Sequence, residues 1–256
     1  MNLKFYSASI SSATHPKENQ DSFFIDEKGK TAGVVDGLGG VSHGEKAASW
    51  CTDCFKKRMD IDNFERSFDF CHNFLKKKAS GAFDHEIATT GAIIKIFAHR
   101  NTSLVVWGSV GDSRVYKYSN NKLIQLTTDD SLITQAFERG WIKQRQAKKT
   151  DQTADPQKLN PIEKNLFQSR NIITQALGIG VMKPRIGKIG IKSGDLIILT
   201  TDGVHDNLVD KEIEQIFKLD SKNPAKDLVS EAIRVSETDS ARAKADDMTA
   251  VVVKLG

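Results

Sequence analysis

Short apolar runs at the start of the chain predict strands, and longer periodic runs after them predict helices. Residues 3–9, 22–26 and 31–35 are short runs with the apolar and aromatic content of strands. Apolar residues then recur at spacings of three and four through residues 44–59 and 64–78, which is the period of an amphipathic helix. The chain is therefore predicted to begin with three strands and to continue with a pair of helices.

The middle of the chain is predicted to be a block of strands followed by a polar insertion. The strands are predicted at residues 93–97, 104–107 and 115–118. Asn120-Asn121 predicts a tight hairpin after the last of them. From residue 132 to 165 the periodicity is lost, Gln, Lys and Asp dominate, and two prolines occur. This segment is predicted to be a mobile, flap-like insertion on the surface, with some helix.

The last third of the chain returns to regular patterns. Order is predicted to return at residues 170–177, with strands at 195–200 and 248–255 and helices at 210–219 and 225–238. Asp210 is the predicted N-cap of the first of these helices. Because the strands dominate the middle and the helices come in pairs, we expect one α+β domain spanning residues 1–256.

Composition excludes several classes of protein. The 256 residues are 39% hydrophobic and 27% charged, which is ordinary for a globular domain. No apolar run approaches the ~20 residues that span a bilayer, and no leader is evident, so a cytoplasmic protein without a membrane partner is expected. Cys51, Cys54 and Cys71 are too few for a disulfide framework. The C-x-x-C pair fits packing inside a helix pair better than a zinc site.

Charge gives little indication of a partner. The net charge is +4, and only 7% of the residues are aromatic, with no basic and aromatic stripe of the kind that binds nucleic acid. No signal for oligomerisation is evident, so a monomer is expected.

The position of the aspartates indicates chemistry. Asp36, Asp112 and Asp202 each follow a hydrophobic strand, and Asp246 directly precedes one. A turn explains any single one of them about as well as a binding role does, since Asp-Gly is a common turn. Four together are poorly explained by turns, because clustered carboxylates need cations. Oxygen ligands favour Mg²⁺ or Mn²⁺, and two such ions about 3.5–4 Å apart can activate a water for phosphoester hydrolysis.

The sequence around these aspartates resembles the type-2C (PPM) family of metal-dependent serine/threonine protein phosphatases, in its compact bacterial form. Asn19-Gln20-Asp21, Asp36-Gly37 and Gly111-Asp112 are characteristic stretches. Each stretch alone is weak evidence, whereas all of them together, in the family's order, are specific. The matching stretches are residues 18–22, 35–40, 44–45, 89–91, 110–116, 126–127, 170–178, 199–203 and 246–249.

This resemblance implies a fold and a metal site. The fold would be a four-layer α-β-β-α sandwich with two stacked, mainly antiparallel sheets flanked by helix pairs. Two Mn²⁺ or Mg²⁺ ions would be bound, with a possible third, and residues 132–165 would be the family's flap beside the site. The implied ligands are Asp36 bridging both ions, the Gly37 carbonyl, Asp202 and Asp246 on the first ion, Asp21 beside the second, and Asp112 with Asp206 on the third.

The chain departs from the family where the phosphate is usually held. Pro16 stands where the family has an arginine. His15 or Lys17 is a candidate replacement, although Lys17 offers a point charge rather than a bidentate fork. Both residues being ordinary loop residues is an equally good interpretation.

Further departures lie close to the implied metal ligands. Leu38 replaces a common histidine, and the nearby His43 is a possible general acid, although a structural role is the favoured interpretation. Asp129-Asp130-Ser131 departs from the family's pattern in a way that affects either the third metal or the hinge of the flap. Asp247 stands where Asn is usual, as extra charge beside the metals or as a turn residue facing solvent. Arg114 is expected to form a structural salt bridge.

The expected activity is hydrolysis of phosphoserine and phosphothreonine in proteins by a water that bridges two metal ions, through Asp36, Asp202 and Asp246. The partners would be a phosphorylated protein and a cognate serine/threonine kinase. Two alternatives stay open: a non-catalytic module that binds phosphoproteins, which the missing arginine favours, and a hydrolase of small phosphoesters.

Overall fold

Two antiparallel five-stranded sheets form the centre of the molecule. A computed structural model describes residues 2–38, 43–59, 63–82, 87–98, 103–219 and 221–256. In chain order the strands are β1 (Leu3–Ile10), β2 (Asp21–Asp26), β3 (Thr31–Asp36), β4 (Gly91–Ala98), β5 (Ser103–Val110), β6 (Arg114–Ser119), β7 (Lys122–Gln125), β8 (Arg185–Ile191), β9 (Leu196–Thr200) and β10 (Met248–Leu255). Gly39 and Gly40, in one of the matching stretches, lie outside the described residues.

Strands from both ends of the chain meet in the first sheet. Its order is β1-β10-β9-β6-β7, and that of the second sheet is β2-β3-β4-β5-β8. All neighbouring strands are antiparallel. The β6–β7 hairpin turns through Asn120 and Asn121, whose φ angles are 51° and 59°. Asn tolerates this left-handed conformation, so the hairpin prediction agrees with the structure.

Helices cover the outer face of each sheet. They are α1 (Gly44–Arg58), α2 (Phe64–Ala82), α3 (Leu132–Glu138), α4 (Gln144–Asp151), α5 (Pro161–Gln168), α6 (Asp202–His205), α7 (Asp210–Ile216) and α8 (Pro224–Ser236). An apolar core under α1 and α2 covers the second sheet, and another under α6, α7 and α8 covers the first. A third core fills the space between the sheets. The four-layer α-β-β-α prediction is confirmed.

Strand β10 shows why these layers follow from the sequence. Its alternate residues Val251 and Val253 face the core between the sheets, while Ala250 and Val252 face the helix core. A strand that is buried on both faces needs apolar residues at consecutive positions. The run Ala250–Val253 is therefore a direct signature of the double layer.

The three cysteines lie in the helix pair that covers the second sheet. Cys51, Cys54 and Cys71 are free and buried in the core under α1 and α2. This placement supports the packing interpretation of the C-x-x-C pair. In the part of the chain that the structure describes, no helix is both long and apolar enough to cross a bilayer.

The structure differs from the sequence expectations at several elements. Strand β8 was not predicted, because its apolar residues alternate with lysine and glycine. Its Gly187 lies under the Trp107 ring, where a Cβ would come within 2.2 Å of the ring. Residues 170–177 form isolated bridges rather than a regular element. Asp210 is the first residue of α7 and not its N-cap, since Val209 takes that position.

The segment expected to be a flap is more helical than its composition indicated. It contains α3, α4, a short 3-10 helix (Pro156–Lys158) and α5, with a small apolar cluster of its own. Asn160 caps α5, accepting a bond from the Glu163 amide at 2.9 Å, and Glu163 accepts one from the Asn160 amide at 3.1 Å. The prolines begin helical turns here rather than break them. That residues 132–165 are a distinct, mobile insertion stays a prediction.

Phe68 offers a test of the core under α1 and α2. Its fully buried ring packs edge-on against Phe55, with 5.0 Å between the ring centroids. Phe68→Ala should lower the free energy of unfolding by about 3–5 kcal/mol, because it leaves a cavity. Urea denaturation measures this change. The control is Phe70→Ala on the same helix, where the ring is 45% exposed and the cost should be below about 1 kcal/mol. Equal losses would contradict this packing.

Candidate metal centre

Aspartates from both sheets meet at the same end of the sandwich. Asp36 ends β3 and is paired in register with Asp21, the first residue of β2. In the other sheet, Asp202 lies two residues after β9, and Asp246 lies two residues before β10. Because β9 and β10 are antiparallel neighbours, with Thr200 opposite Ala250, these two carboxylates are also brought to one place. The cluster therefore spans the two sheets.

The electrostatics of Asp36 show how closely the carboxylates approach. Burial raises the pKa of Asp36 well above its usual value, and the carboxylates of Asp202, Asp21, Asp112 and Asp246 raise it further. Like charges have this effect because each disfavours the ionised form of its neighbour. Asp36 is thus the residue around which the others are arranged.

Asp21 is held by a hydroxyl group from the opposite sheet. The Thr201 hydroxyl donates a hydrogen bond of 2.7 Å to Asp21 Oδ2. Burial raises the pKa of Asp21 well above its usual value, while the hydrogen bond from Thr201 opposes that shift. One oxygen of Asp21 is therefore engaged by the protein.

Asp112 and Asp206 lie beside Asp202. Asp112 is 6% exposed, and its buried Oδ1 accepts no hydrogen bond from any described residue. Burial raises the pKa of Asp112, with Asp202 and Asp206 among the further causes. Asp206 follows Asp202 by four residues across α6, and its amide donates to the Asp202 carbonyl at 2.7 Å. The structure thus brings together all six aspartates that the sequence singled out.

Lys244 is a member of the cluster that the sequence did not indicate. Its Nζ forms a short hydrogen bond to Asp202 and lies 2.9 Å from Asp246 Oδ2 and 3.3 Å from Asp206 Oδ2. Burial raises the pKa of Asp202 to about 6, although Lys244 acts in the opposite direction. A lysine two residues before Asp246 was the only available signal, and it looks like any lysine of a polar loop.

Two glycines allow the backbone to approach closely at the site. A Cβ on Gly37 would lie 2.1 Å from the Gly44 carbonyl oxygen, and a Cβ on Gly203 would lie 1.9 Å from that of Asp247. Neither position accepts a side chain without movement of backbone. Among the described residues, none donates a hydrogen bond to the Gly37 carbonyl, so that oxygen is available to a ligand.

Asp247 does not face solvent, and its charge acts on the cluster, since it is among the causes that raise the pKa of Asp21. It is 3% exposed, and its two oxygens accept bonds of 2.7 Å from the amides of Ser12 and Gln20. Burial raises the pKa of Asp247, while these two bonds lower it. Asp247 therefore ties the loop before β2 to the start of β10.

The candidate phosphate-binding residues differ in their surroundings. His15 Nδ1 lies 3.0 Å from the Glu18 carbonyl oxygen and 3.6 Å from Asp247 Oδ1. The hydrogen bond to Glu18 is the largest cause of the raised pKa of His15. His15, Asp246 and Asp247 approach closely enough to hold an ion, but Asp247 is already engaged by two amides. Lys17 is exposed.

His43 precedes α1 at the edge of the site. Its φ is 73°, and its Nδ1 lies 4.0 Å from Glu45 Oε1. Its carbonyl accepts bonds from the amides of Lys46 and Ala47. The structure thus gives His43 a role at the start of the helix and does not test its role as a general acid.

Arg114 forms the structural salt bridge that was expected. The buried guanidinium contacts Asp129 through Nε and Nη2, at distances down to 2.5 Å, and Asp151 at 2.7 Å. Asp129 and Asp151 flank the first two helices of the segment 132–165. Arg114 therefore joins the strand β6 to that segment.

Asp130 has a different partner set, at the entrance to α3. It is 1% exposed and accepts bonds from the Gly111 amide at 3.0 Å, Gln175 Nε2 at 2.9 Å and Arg185 Nε at 2.8 Å. These contacts support an effect of Asp129-Asp130-Ser131 on the hinge of the flap. Asp129 is also among the charges that raise the pKa of Asp112, so the effect on the third metal stays a prediction as well.

The chain is similar to known bacterial phosphatases. A family model described as stage II sporulation protein E (SpoIIE) matches residues 168–256. Protein phosphatase PhpP of Streptococcus pneumoniae serotype 2 is 25% identical over 213 residues, which cover 79% of each chain. In sequence the chain is thus similar to bacterial phosphatases of the type-2C (PPM) family.

Solved structures agree with the PPM fold. The serine/threonine phosphatase Stp1 from Staphylococcus aureus has a TM-score of 0.79 at 21% identity, covering 100% of this chain and 96% of that one. The catalytic domain of the phosphatase PstP, solved in complex with two manganese ions, has a TM-score of 0.71 at 18% identity and covers 99% and 98%.

The residues present fit the hard divalent cations that this PPM fold implies. The donor set consists of carboxylates and one free carbonyl, the ligands that Mg²⁺ and Mn²⁺ prefer. The unpartnered, buried Oδ1 of Asp112 would otherwise carry a cost of about 1–3 kcal/mol. Lys244 and, at 3.8 Å from Asp206, Arg170 are outnumbered by six aspartates, so bound cations would balance the remaining charge of the cluster.

Asp130→Ala should destabilise the protein by about 3 kcal/mol, because it leaves a buried amide and a guanidinium without their acceptor. Chemical denaturation measures the loss. Glu138→Ala is the matched control, since Glu138 pairs with the same Arg185 at 3.0 Å but is 50% exposed, and it should cost less than about 1 kcal/mol. Equal losses would show that the Asp130 contacts have no special role.

Proposed function

We propose that this PPM protein hydrolyses phosphoserine and phosphothreonine in protein substrates, with Mn²⁺ or Mg²⁺ as its cofactor. The observation that carries the proposal is the meeting of six aspartates from both sheets around Asp36. The relative PhpP is named a protein phosphatase, and the match covers 79% of its length, which supports the same reaction. A cytoplasmic location, a cognate kinase and a monomeric state stay predictions from the sequence.

Asp36, Asp202 and Asp246, with the Gly37 carbonyl, would hold the principal cations. Two divalent ions bound there would polarise an attacking water and neutralise charge on the phosphoryl oxygens. Asp36 belongs to the second sheet, and carboxylates of the first sheet lie close to it. It is therefore the residue that we expect to bind both ions. Gly203 allows the start of α6 to pack directly against the Asp247 carbonyl. This close packing holds the backbone of Asp202 in position.

The remaining aspartates would have supporting roles. Asp21 accepts a hydrogen bond from Thr201 at one oxygen, and it would orient a ligand of the second ion or bind that ion directly. Asp112 and Asp206 are charged neighbours of Asp202 and would hold a third ion. That ion would be more labile, since Lys244 and Arg170 already contact Asp206 at 3.3 and 3.8 Å.

Substrate residues next to the phosphate would bind beside the segment 132–168. A cavity of about 610 Å³ lies there, lined by Pro156, Lys164, Phe167 and Arg170 among others. Arg170 reaches from this cavity to Asp206, which connects the cavity to the metal centre. The mixed basic and apolar lining fits a peptide better than a small phosphoester.

Asp202→Asn tests the reaction. Purified protein is assayed on p-nitrophenyl phosphate and a phosphothreonine peptide with Mn²⁺, Mg²⁺ or EDTA. Turnover should need the metal, and Asp202→Asn should lower kcat at least about a hundredfold, equivalent to about 3 kcal/mol of transition-state stabilisation. Asp53→Asn, an aspartate on α1 that is 56% exposed, is the control and should retain full activity.

The same assay separates the competing functions. Turnover of p-nitrophenyl phosphate without turnover of the phosphopeptide would favour a small-phosphoester hydrolase. Binding of the phosphopeptide without turnover under any metal would favour the non-catalytic module.

Lys17→Ala tests how the phosphate is held without the family's arginine. Lys17 is an exposed cation on the loop that Asp247 anchors, so removing it should raise KM for a phosphopeptide by at most about fivefold and leave kcat unchanged. The increase should shrink in high salt. Lys28→Ala, on the exposed turn at the far end of β2, is the control. Unchanged KM in both Lys17→Ala and His15→Ala would overturn this role.

A further inference from the structure

The ammonium group of Lys244 lies where a divalent cation would be placed. Its Nζ contacts Asp202, Asp246 and Asp206 together, with the latter two at 2.9 and 3.3 Å. Burial acts to lower the pKa of Lys244, but the three carboxylates outweigh it and raise this pKa well above its usual value. One positive charge thus neutralises part of the carboxylate cluster.

The position of Lys244 is set by its backbone. The Lys244 amide donates to Asn207 Oδ1 at 2.9 Å, and Asn207 Nδ2 donates to the Lys244 carbonyl at 2.9 Å. Asn207 is 1% exposed and also donates to the Gly203 carbonyl at 2.8 Å. The loop that carries Lys244 is therefore attached, through Asn207, to the segment formed by α6 and its C-cap, which carries Asp202 and Asp206.

Arg242 holds the same loop from its other side. Its guanidinium donates to the carbonyls of Asp151, Thr153 and His205 at 2.7, 3.2 and 2.8 Å. With the backbone held at both points, only the four-carbon side chain of Lys244 is free to leave the cluster. That side chain is 21% exposed, so it has a route toward solvent.

We propose that Lys244 is an internal competitor for a divalent cation at Asp202, Asp206 and Asp246. Hard cations bind carboxylate oxygens at about 2.0–2.6 Å, so a metal ion and the ammonium group cannot use the same three oxygens at once. Metal binding therefore requires Lys244 to withdraw, and the apparent affinity is reduced by the fraction of molecules in which it has withdrawn. This inference rests on the metal centre proposed above.

Two consequences follow from such competition. In the absence of metal, Lys244 stabilises the fold by neutralising carboxylates that would otherwise repel one another. In the presence of metal, Lys244 raises the concentration at which the site fills, so activity would depend on the supply of the metal.

Calorimetric titration of metal-free protein with Mn²⁺ tests the proposal directly. Lys244→Met keeps the length of the side chain and removes its charge, and it should bind at least one Mn²⁺ about tenfold more tightly than wild type. Lys117→Met is the matched control, because Lys117 pairs at 2.9 Å with the buried Asp195 outside the cluster, and its affinity for Mn²⁺ should equal that of wild type.

High salt separates direct competition from the general effect of charge. The gain of Lys244→Met should persist at 0.5 M KCl, where the Debye length is only about 4 Å. A gain that disappears at high salt would overturn the proposal, as would equal or weaker affinity of Lys244→Met for Mn²⁺. If no variant bound Mn²⁺, the metal centre itself would be refuted, and this inference with it.

Thermal unfolding supplies a readout that does not depend on activity. In EDTA, Lys244→Met should melt at a lower temperature than wild type, since Asp202, Asp206 and Asp246 lose the positive charge of Lys244. Saturating Mn²⁺ should raise its melting temperature by more than that of wild type. A Lys244→Met protein that is as stable as wild type in EDTA would contradict the neutralising role.

Discussion

Repulsion among the clustered carboxylates is the constraint on which the rest of the molecule depends. Six aspartates meet at one end of the sandwich, and burial with mutual repulsion raises the pKa of Asp36, Asp21 and Asp112. Such a cluster is unfavourable in any fold unless cations occupy it. The apolar cores on both sides of each sheet stabilise the fold enough to offset the repulsion within this cluster. The carboxylates that the proposed function needs therefore destabilise the fold, and a bound cation would remove this repulsion.

The fold places the charges with backbone geometry more than with side-chain contacts. Adjacent antiparallel strands bring Asp21 beside Asp36, and Gly37 and Gly203 let neighbouring segments approach to distances that no other residue would allow. Two cationic side chains from elsewhere in the chain contact the cluster. Lys244 lies among its carboxylates, and Arg170 lies beside Asp206. The positions of these two cations are determined by tertiary structure, and no local sequence pattern indicates them.

This division explains what could be predicted from the sequence. The four layers follow from runs such as the one in β10, which is apolar on both faces. The aspartates Asp36, Asp112, Asp202 and Asp246 were visible because each adjoins an apolar run, whereas Asp21 and Asp206 were indicated only by the resemblance to the family. Strand β8 was missed because Gly187 and its lysines interrupt the apolar pattern. The role of Lys244 and the hydrogen bonds of Asp247 were not predicted, because they depend on tertiary contacts, through Asn207 for Lys244 and through the amides of Ser12 and Gln20 for Asp247.

The attachment of the loop before β2 affects which substitutions the protein can tolerate in evolution. Asp247 holds that loop through two main-chain amides, at Ser12 and Gln20, and the side chain of His15 between them lies 3.6 Å from Asp247. Substitutions at Pro16 or Lys17, which are both exposed, therefore leave the anchor intact. Under the proposed function, the loop could gain or lose positive charge at these positions and keep its anchor, so the preference for one phosphorylated partner over another could change while the aspartate cluster stays the same.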